Sequence, residues 1–356
     1  MWTFLGRAYR FIRHGNRRAR INRLLDQRRK QRNEVLNEAE LRRQSTRLKS
    51  NPPSLYLDPS TICNLKCPFC ATGGGFSELK KELLQPGTFA QVVSNIRAEL
   101  LTLVNLYNWG EPLMNPHLSQ YIGFFHKKHA YTRLDTSFSA KDYDAGFFDK
   151  LIASGLDELT VSVDGATQET YEKYRINGDF NRVISNMRLL NETKKAVGSP
   201  TPVVIYKMLL SKHNEREVDD ARRLAFDVGA EFVALEHFWV PTELRDEWIA
   251  ESVKDKHGDA SPGSYTRFDD GLIHTECRNL WTTLVVNANG DVFPCCIVFK
   301  PSQAVGNLAE QHIDEIWNNE KMVYLRKYVT DPDAAPPDFP NHCVTCPKRY
   351  CTCTDA

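Results

Sequence analysis

The pattern of hydrophobic and polar positions divides the middle of the chain into alternating short apolar runs and longer amphipathic segments. The short runs lie at 54–57, 102–107, 132–135, 158–163, 202–208 and 231–236. The amphipathic segments between them have helical length and lie at 88–100, 117–129, 144–154, 167–194 and 214–229. This alternation predicts a parallel sheet with right-handed crossovers. Because six such units are too few for a closed eight-stranded barrel, the expected α/β fold is a partial (β/α)6 TIM-like barrel.

The C-terminal part of the chain has a different pattern. A hairpin is predicted over 281–293, because Asn289-Gly290 is a favoured turn between two apolar runs. A short helix is expected at about 312–327, followed by a tail rich in proline and cysteine. This small α+β region has few apolar residues for a core of its own. Bound metal is therefore expected to contribute to its stability.

The N-terminal 50 residues are predicted to form a basic helical arm. They contain 15 Lys and Arg against 4 Asp and Glu, a net charge of +11, so the remaining chain carries −10. Trp2, Leu5, Tyr9 and Ile12 form an apolar stripe flanked by arginines, a pattern suited to an anionic membrane surface. The alternative is a basic helix whose stripe packs on the protein itself. Nothing in the arm resembles a nucleic-acid-reading motif, which argues against a nucleic-acid partner.

These features predict four parts: the arm at 1–50, the barrel at 51–240, a charged linker at 241–270 and the cysteine-rich domain at 271–356. No apolar run is long enough to span a membrane. The N-terminus also has no signal-peptide pattern. We therefore expect a cytoplasmic protein, with peripheral membrane contact through residues 1–50.

The 10 cysteines are clustered in three groups, at 63–70, 277–296 and 343–353. In a large chain without secretion signals, clustered thiols are typical of metal or iron–sulfur sites rather than disulfides. The first group has the spacing C-x3-C-x2-C and follows the first predicted strand, at the sheet edge where parallel α/β proteins carry their active sites. Zinc and iron–sulfur cubes both prefer four protein ligands, so three thiols leave one position open.

The sequence "CNLKCPFC" after the first strand and "LYNWGEPLMNP" at the end of the second resemble the radical S-adenosylmethionine (radical SAM) enzymes. The resemblance extends over about 54–356. It implies that Cys63, Cys67 and Cys70 hold a [4Fe–4S] cluster whose open iron binds S-adenosylmethionine. It further implies reductive cleavage to a 5′-deoxyadenosyl radical, which abstracts a hydrogen from the substrate inside a protected site.

The same resemblance implies S-adenosylmethionine contacts at further positions. Phe69 would lie near the adenine, and the backbone of Gly110 with the acid of Glu111 would meet the methionine ammonium. In this sequence Trp109 stands where the family more commonly has glycine. The remaining implied contacts are Ser162 on the ribose, with Asp164 beside it, and Arg175 on the methionine carboxylate.

Each of these positions also has an ordinary structural interpretation. Glu111-Pro112 could simply end a strand, Asp164-Gly165 is a common turn, and Arg175 could form a surface ion pair. The general base is not identified by the sequence. The candidates are polar residues at strand ends, namely Lys207, Glu236 and His237.

The C-terminal cysteines resemble the SPASM extension and its shorter relative, the twitch subdomain. This resemblance implies at least one auxiliary [4Fe–4S] cluster, held by Cys277, Cys295, Cys343 and Cys346. Cys351 and Cys353 are lesser candidates that could hold a second cluster, and Cys296 is interpreted as a packed thiol. The alternative for this region is a structural zinc site, since C-x2-C pairs suit zinc equally well.

The leading functional interpretation is a radical SAM oxidoreductase that passes a substrate electron to the auxiliary cluster. Its donor would be a flavodoxin- or ferredoxin-type protein. The arm is too short for a winged-helix peptide-recognition domain, which favours a sugar or aminocyclitol as substrate. The alternative is a maturase that oxidises, crosslinks or epimerises a ribosomal peptide. A rival of another class is a non-catalytic iron–sulfur electron carrier or a membrane-docked binding protein.

Overall fold

The computed structural model of the protein describes residues 24–254 except 237 and 239, residues 277–344 except 332, and residue 346. Within these residues nine strands form one sheet in the order β6-β5-β4-β3-β2-β1-β7-β8-β9. The strands are β1 Ser54–Leu57, β2 Leu103–Asn105, β3 Tyr131–Thr136, β4 Glu158–Ser162, β5 Val203–Leu209, β6 Phe232–Glu236, β7 Thr283–Val286, β8 Asp291–Phe293 and β9 Gly306–Asn307. The ladder from β6 to β7 is parallel throughout, which confirms the predicted α/β class.

Helices alternate with the first six strands as the hydrophobic pattern predicts. Within the described residues the helices are α1 (24–42), α2 Pro86–Asn95, α3 Leu118–Lys127, α4 Ala145–Ala153, α5 Gln168–Tyr174, α6 Phe180–Val197, α7 Val218–Asp227, α8 Arg245–Trp248, α9 Glu251–Lys254, α10 Asn279–Thr282, α11 Ile313–Ile316 and α12 Glu320–Thr330. The helices bury their apolar stripes against the sheet. Leu55 and Leu57 of β1 and Ile122 of α3 are fully buried in the same core.

One predicted helical segment, 167–194, is two helices in the structure. The chain turns between α5 and α6, where Asn177 has a left-handed φ of 69°. Asp179 then caps α6, because its carboxylate accepts a hydrogen bond from the backbone N–H of Arg182 at 3.0 Å. The periodicity of apolar residues continues across this turn, so it does not reveal the break.

Helix α1 is attached to the barrel by a buried lysine. The ammonium of Lys30 donates to the carbonyl oxygens of Leu101, Lys128 and His129 at 2.5, 2.9 and 2.8 Å. These three bonds use every donor of the ammonium. They also satisfy backbone carbonyls that precede β2 and β3. The described part of the predicted arm therefore packs on the barrel.

The second half of α1 contacts the C-terminal region. Asn37 donates its amide to the carbonyl of Trp281 at 2.7 Å, and Glu38 pairs with Arg278 at 2.6 Å. After the helix, the carbonyl of Ser50 accepts the indole N–H of Trp317 at 3.1 Å. Residues 24–50 thus join the barrel to the C-terminal region, whereas the predicted stripe from Trp2 to Ile12 lies outside the described residues.

The C-terminal region extends the barrel sheet instead of forming a separate one. Strand β7 pairs in parallel with β1, from Ser54 opposite Thr283 to Leu57 opposite Val286. The predicted hairpin is confirmed, with β7 and β8 antiparallel and Gly290 at a φ of 91° in the turn. Among the described helices, none is both long and apolar enough to cross a lipid bilayer.

Candidate active site

The first cysteine loop leaves the carboxyl end of β1 and folds tightly around its own backbone. The N–H of Cys70 donates to the carbonyl of Cys67 at 3.2 Å, and the N–H of Leu65 donates to the thiol of Cys63 at 3.4 Å. Cys67 is buried, whereas Cys63 and Cys70 are partly exposed. The structure therefore brings the three predicted thiols together at the strand end where the sequence predicts a site.

The electrostatics of this loop disfavour free thiolates. Burial raises the pKa of Cys63 to about 12, and the charge of Glu111 acts in the same direction. Burial also raises the pKa of Cys67, although the positive charge of Arg175 opposes it. Because cluster ligands must be deprotonated, binding of a cluster here would release protons.

Glycines let this loop close. A Cβ on Gly73 would lie 2.5 Å from the backbone nitrogen of Cys67, and one on Gly74 would lie 2.7 Å from the carbonyl oxygen of Pro68. No side chain fits at either position. The close turn presents three thiols from a single loop, a donor set that suits an iron–sulfur cluster with one iron left open.

The motif "LYNWGEPLMNP", which follows β2, contacts the cysteine loop through its backbone. A Cβ on Gly110 would lie 1.8 Å from the carbonyl oxygen of Ser60, so only glycine fits there. The next N–H, of Glu111, donates to the carbonyl of Ile62 at 2.8 Å, directly before Cys63. Gly110 is thus placed beside the first cysteine group.

The carboxylate of Glu111 is 2% exposed and is held by four donors. It accepts from the N–H of Leu113 and the hydroxyl of Thr136 on one oxygen, and from the N–H and hydroxyl of Ser137 on the other. Burial raises its pKa, and these bonds oppose that rise. The side chain therefore ties the ends of β2 and β3 together. A role on a methionine ammonium stays a prediction.

Asp58, which the sequence analysis did not single out, lies under the same two loops. Its carboxylate accepts the backbone N–H of Trp109 at 3.0 Å. Burial raises the pKa of Asp58 from its ordinary value of 3.8 to about 7, against the effect of nearby backbone N–H groups. The folded state therefore favours the protonated acid between these two values.

We expect Asp58→Asn to flatten the pH dependence of stability between about pH 4 and pH 7. Since the pKa is higher in the folded protein, the wild type loses stability as pH rises through this interval, by up to ~1.4 kcal/mol per pH unit. The amide does not titrate. Thermal unfolding of both proteins from pH 5 to 8 measures the effect, and parallel curves for wild type and variant would contradict it.

Arg175 lies between an acid and a cysteine. Its Nε donates to Asp164 at 2.5 Å, and its Nη1 donates to the thiol of Cys67 at 3.7 Å. Asp164 is 1% exposed as a side chain and also accepts the N–H of Leu209 at 2.7 Å. Arg175 is therefore a largely buried charge beside the cysteine group, with a side chain 13% exposed, and not part of a surface ion pair.

Three polar side chains meet on neighbouring strands at this edge of the sheet. Ser162 of β4 donates its hydroxyl to Asp135 of β3 at 3.0 Å, and the ammonium of Lys207 on β5 binds the other oxygen of Asp135. Ser162 and Lys207 are direct partners in the β4–β5 ladder. Lys207 thus lies at the site. Asp135 is an additional polar residue that the sequence analysis missed.

An aromatic cluster surrounds Phe69, next to the last cysteine of the loop. Its ring lies 5.9 Å from that of Phe238, 5.0 Å from Trp248 and 6.0 Å from Tyr174, measured between centroids. Glu236, a candidate base, ends β6 two residues before Phe238. His237, the other candidate, lies outside the described residues.

The four cysteines predicted for the auxiliary cluster line one cavity. Cys277, Cys295, Cys343 and Cys346 share its wall with apolar side chains such as Leu280 and Val298, and with His342. Burial raises the pKa of Cys277 to about 12, and that of Cys343 also rises. The amide of Asn279 donates to the thiol of Cys295 at 3.1 Å.

The three other C-terminal cysteines are not among the residues that line this cavity in the described part of the chain. Cys296 packs with Val285 and Phe293 outside the cavity wall. Cys351 and Cys353 lie outside the described residues. Across the part of the chain that the structure covers, no three His, Cys, Asp or Glu side chains converge tightly enough to hold one metal ion. The four thiols instead surround a shared space, and a set of four thiols suits a [4Fe–4S] cluster.

Comparison with known families agrees with this arrangement. The family model of the radical SAM superfamily matches residues 57–225, and that of the SPASM iron–sulfur cluster-binding domain matches residues 277–347. The chain therefore contains a radical SAM domain followed by a SPASM domain. Both resemblances found in the sequence are thereby confirmed, and the two domains of this radical SAM protein imply iron–sulfur clusters.

Individual relatives of this radical SAM protein have different activities. "PqqA peptide cyclase" of Xanthomonas axonopodis pv. citri is 25% identical, over 84% of this chain and 81% of its own length. "AdoMet-dependent heme synthase" of Methanosarcina barkeri is 27% identical, over 85% of this chain and 91% of its own. Among solved structures, Streptococcus suis SuiB bound to S-adenosylmethionine covers 78% of this chain and 68% of its own, at 16% identity and a TM-score of 0.58. SuiB bound to the precursor peptide SuiA gives a TM-score of 0.56 at 16% identity, over 81% and 69%.

Two residues, one at the radical SAM site and one in the auxiliary cavity, could have been found from sequence and were not. Asp135 alternates with Arg133 along β3, so both point to the face that carries Ser162 on β4. His342 directly precedes the Cys343-x2-Cys346 pair, and histidine is a frequent neighbour or ligand in such sites. Asp58 gives no comparable signal, because its partner Trp109 is 51 residues away in the chain.

Proposed function

We propose that this radical SAM protein modifies a peptide. The observation that carries the proposal is the similarity to PqqA peptide cyclase along 84% of the chain. The complex of SuiB with SuiA supports it, because a fold of this type accommodates a peptide. This favours the peptide alternative over the sugar or aminocyclitol substrate that the sequence analysis placed first.

In this proposal the chain supplies two cluster sites. Cys63, Cys67 and Cys70 would hold the first [4Fe–4S] cluster, which when bound would supply the electron for reductive cleavage of S-adenosylmethionine. Cys277, Cys295, Cys343 and Cys346 would hold the auxiliary cluster, which when bound would accept an electron from the substrate. The net reaction is then an oxidation of the peptide, and a flavodoxin- or ferredoxin-type protein supplies the first electron.

The remaining site residues are proposed to bind and orient S-adenosylmethionine and the substrate. Arg175, a buried cation beside Cys67, is suited to pair with the carboxylate of S-adenosylmethionine. The backbone of Gly110 and the hydroxyl of Ser162 are suited to its ammonium and ribose, and Phe69 with its aromatic neighbours to its adenine. Lys207, paired with Asp135, faces the same edge and is available for proton transfer with the substrate.

The decisive experiment uses a deuterium label to follow the hydrogen that is abstracted from the substrate. Reconstituted protein is incubated anaerobically with S-adenosylmethionine, reductant and peptides encoded beside its gene, synthesised with deuterated amino acids. Because the hydrogen taken from the substrate is transferred to 5′-deoxyadenosine, we expect deuterium in that product, measured by mass spectrometry.

Two control experiments make the result specific. Unlabelled peptide must give unlabelled 5′-deoxyadenosine. Deuterated sugar or aminocyclitol substrates, and porphyrins in view of the heme synthase relative, are tested in parallel. Deuterium transfer from one of these and not from any peptide would overturn the peptide proposal while leaving the radical chemistry intact.

A further inference from the structure

Residues 108–111 connect the two cysteine regions. The backbone of Gly110 and Glu111 faces the first cysteine loop, as described above. The side chains of Asn108 and Trp109 face the other way, toward residues 295–299, which begin with Cys295. This four-residue segment therefore contacts the first cysteine loop through its backbone and residues 295–299 through its side chains.

The contact of Trp109 with the C-terminal region is specific. Its indole Nε1 donates to the carbonyl of Val298 at 2.8 Å, and its ring meets the ring of Phe299 edge-on, with centroids 5.5 Å apart. With its amide oriented to satisfy both neighbours, Asn108 donates to the carbonyl of Cys296 at 3.0 Å and accepts from the indole at 3.2 Å. The N–H of Trp109 is fixed on Asp58.

The indole bond leads directly to a cavity cysteine. The N–H of Val298 donates to the carbonyl of Cys295 at 3.2 Å, so Trp109 binds the carbonyl of the residue whose N–H closes a turn that begins at Cys295. A shift of Trp109 must therefore move this turn or break the bond. A glycine, the residue more common at this position in the family, offers neither the ring nor the donor.

A second contact on the other side of Phe299 reinforces the connection. Its ring also meets that of Phe76 edge-on at 5.6 Å, and its carbonyl accepts the N–H of Glu78 at 3.2 Å. Phe76 lies six residues after Cys70. Val298 and Phe299 are thus held between Trp109 and the segment that follows Cys70.

We propose that Trp109 is a positioning residue. It couples the turn from Cys295 to Val298 to the backbone at Gly110, which is proposed to meet S-adenosylmethionine. This rests on the proposed function, in which Gly110 meets S-adenosylmethionine and Cys295 holds the auxiliary cluster. By linkage, formation of the auxiliary cluster then changes the affinity for S-adenosylmethionine, and occupancy of S-adenosylmethionine changes the auxiliary site by the same free energy.

The first test is a double-mutant cycle on S-adenosylmethionine affinity, measured by equilibrium dialysis of reconstituted protein. Its members are wild type, Cys343→Ser, Trp109→Gly and the double variant. We expect Cys343→Ser to weaken binding about fivefold more in the wild-type background than in the Trp109→Gly background, the low end of coupling between sites. Equal effects of Cys343→Ser in both backgrounds would overturn the proposal.

The second test measures the EPR spectrum of the auxiliary cluster without any signal from the first cluster. The protein used carries Cys63→Ala, Cys67→Ala and Cys70→Ala, so that the first cluster cannot form. We expect Trp109→Phe, which keeps a ring but loses the donor, to change the EPR spectrum of the reduced auxiliary cluster. Trp317→Phe is the matched control, because it also removes an indole bond to a carbonyl, that of Ser50 at 3.1 Å. An unchanged spectrum in Trp109→Phe, or an equal change in both variants, would refute the assignment.

These tests separate the inference from the function on which it rests. If the wild type fails to bind S-adenosylmethionine, the proposed function is wrong, but the EPR comparison still reports whether Trp109 shapes the auxiliary site. If binding and cleavage are normal and the cycle shows no coupling, the function stands and the inference fails.

Discussion

Replacing Cys67 by alanine is expected to abolish reductive cleavage of S-adenosylmethionine, with a loss on the order of 10³-fold or more in 5′-deoxyadenosine formation. Cys67 is the buried member of its group, and the thiol accepts a hydrogen bond from Arg175. With two cysteines left, the loop cannot hold a cluster that already has one iron without a protein ligand. The variant is therefore expected to lose both the iron that would bind S-adenosylmethionine and the source of the electron for its cleavage.

The same variant should keep its auxiliary cluster. Cys67 lies after β1, whereas the four auxiliary thiols line a separate cavity, of which Cys67 is not a lining residue. Iron and sulfide analysis with an EPR spin count would show the iron content falling by about four atoms per chain, the content of one [4Fe–4S] cluster.

Cys296→Ala is the matched control for Cys67→Ala. That thiol packs in a small apolar cluster outside the cavity wall, and its replacement should leave both clusters in place. Cleavage by Cys67→Ala at a rate near that of the wild type would contradict the assignment of this loop.

Gly110→Ala is expected to cost both stability and S-adenosylmethionine binding. The added Cβ would lie 1.8 Å from the carbonyl oxygen of Ser60 and 2.9 Å from that of Ile62. Both neighbours are backbone atoms and cannot rotate away, so the two loops must separate. Forced overpacking of this kind costs ~1–3 kcal/mol.

The separation also displaces the backbone proposed to meet the ammonium of S-adenosylmethionine. Thermal unfolding and equilibrium dialysis measure the two effects. Gly87→Ala is the matched control, because a Cβ there would meet nothing within 4 Å. It should leave binding unchanged. Wild-type binding by Gly110→Ala would show that the close contact between the loops is not needed.

Local patterns predict much of this fold. The six barrel strands lie within one or two residues of the predicted runs, because short apolar segments at regular spacing bury both faces of a parallel sheet. The first cysteine group is predictable for the same reason, since its spacing is local. The apolar periodicity continues through the turn at Asn177 and hides it, although Asn177-Gly178 is the same local turn signal as Asn289-Gly290.

Contacts between distant parts of the chain could not be read from the sequence. The arm is predicted from its charge and its apolar stripe, and neither shows that Lys30 is buried against carbonyls about 70 to 100 residues away. Trp109 differs visibly from the family pattern, but its partner Val298 lies 189 residues further on. Asp135 becomes part of the site only when β3, β4 and β5 lie side by side.

The position of β1 has a consequence for the evolution of this chain. Strand β1 has β2 on one side and β7 on the other, so its outer edge is completed by the SPASM region. A shortened gene product that ends after β6 would expose the unpaired backbone of an apolar strand, a template for aggregation. The C-terminal region is therefore not an accessory that can be lost or exchanged freely. Selection for solubility alone would keep it, even in a descendant that no longer needed its cysteines.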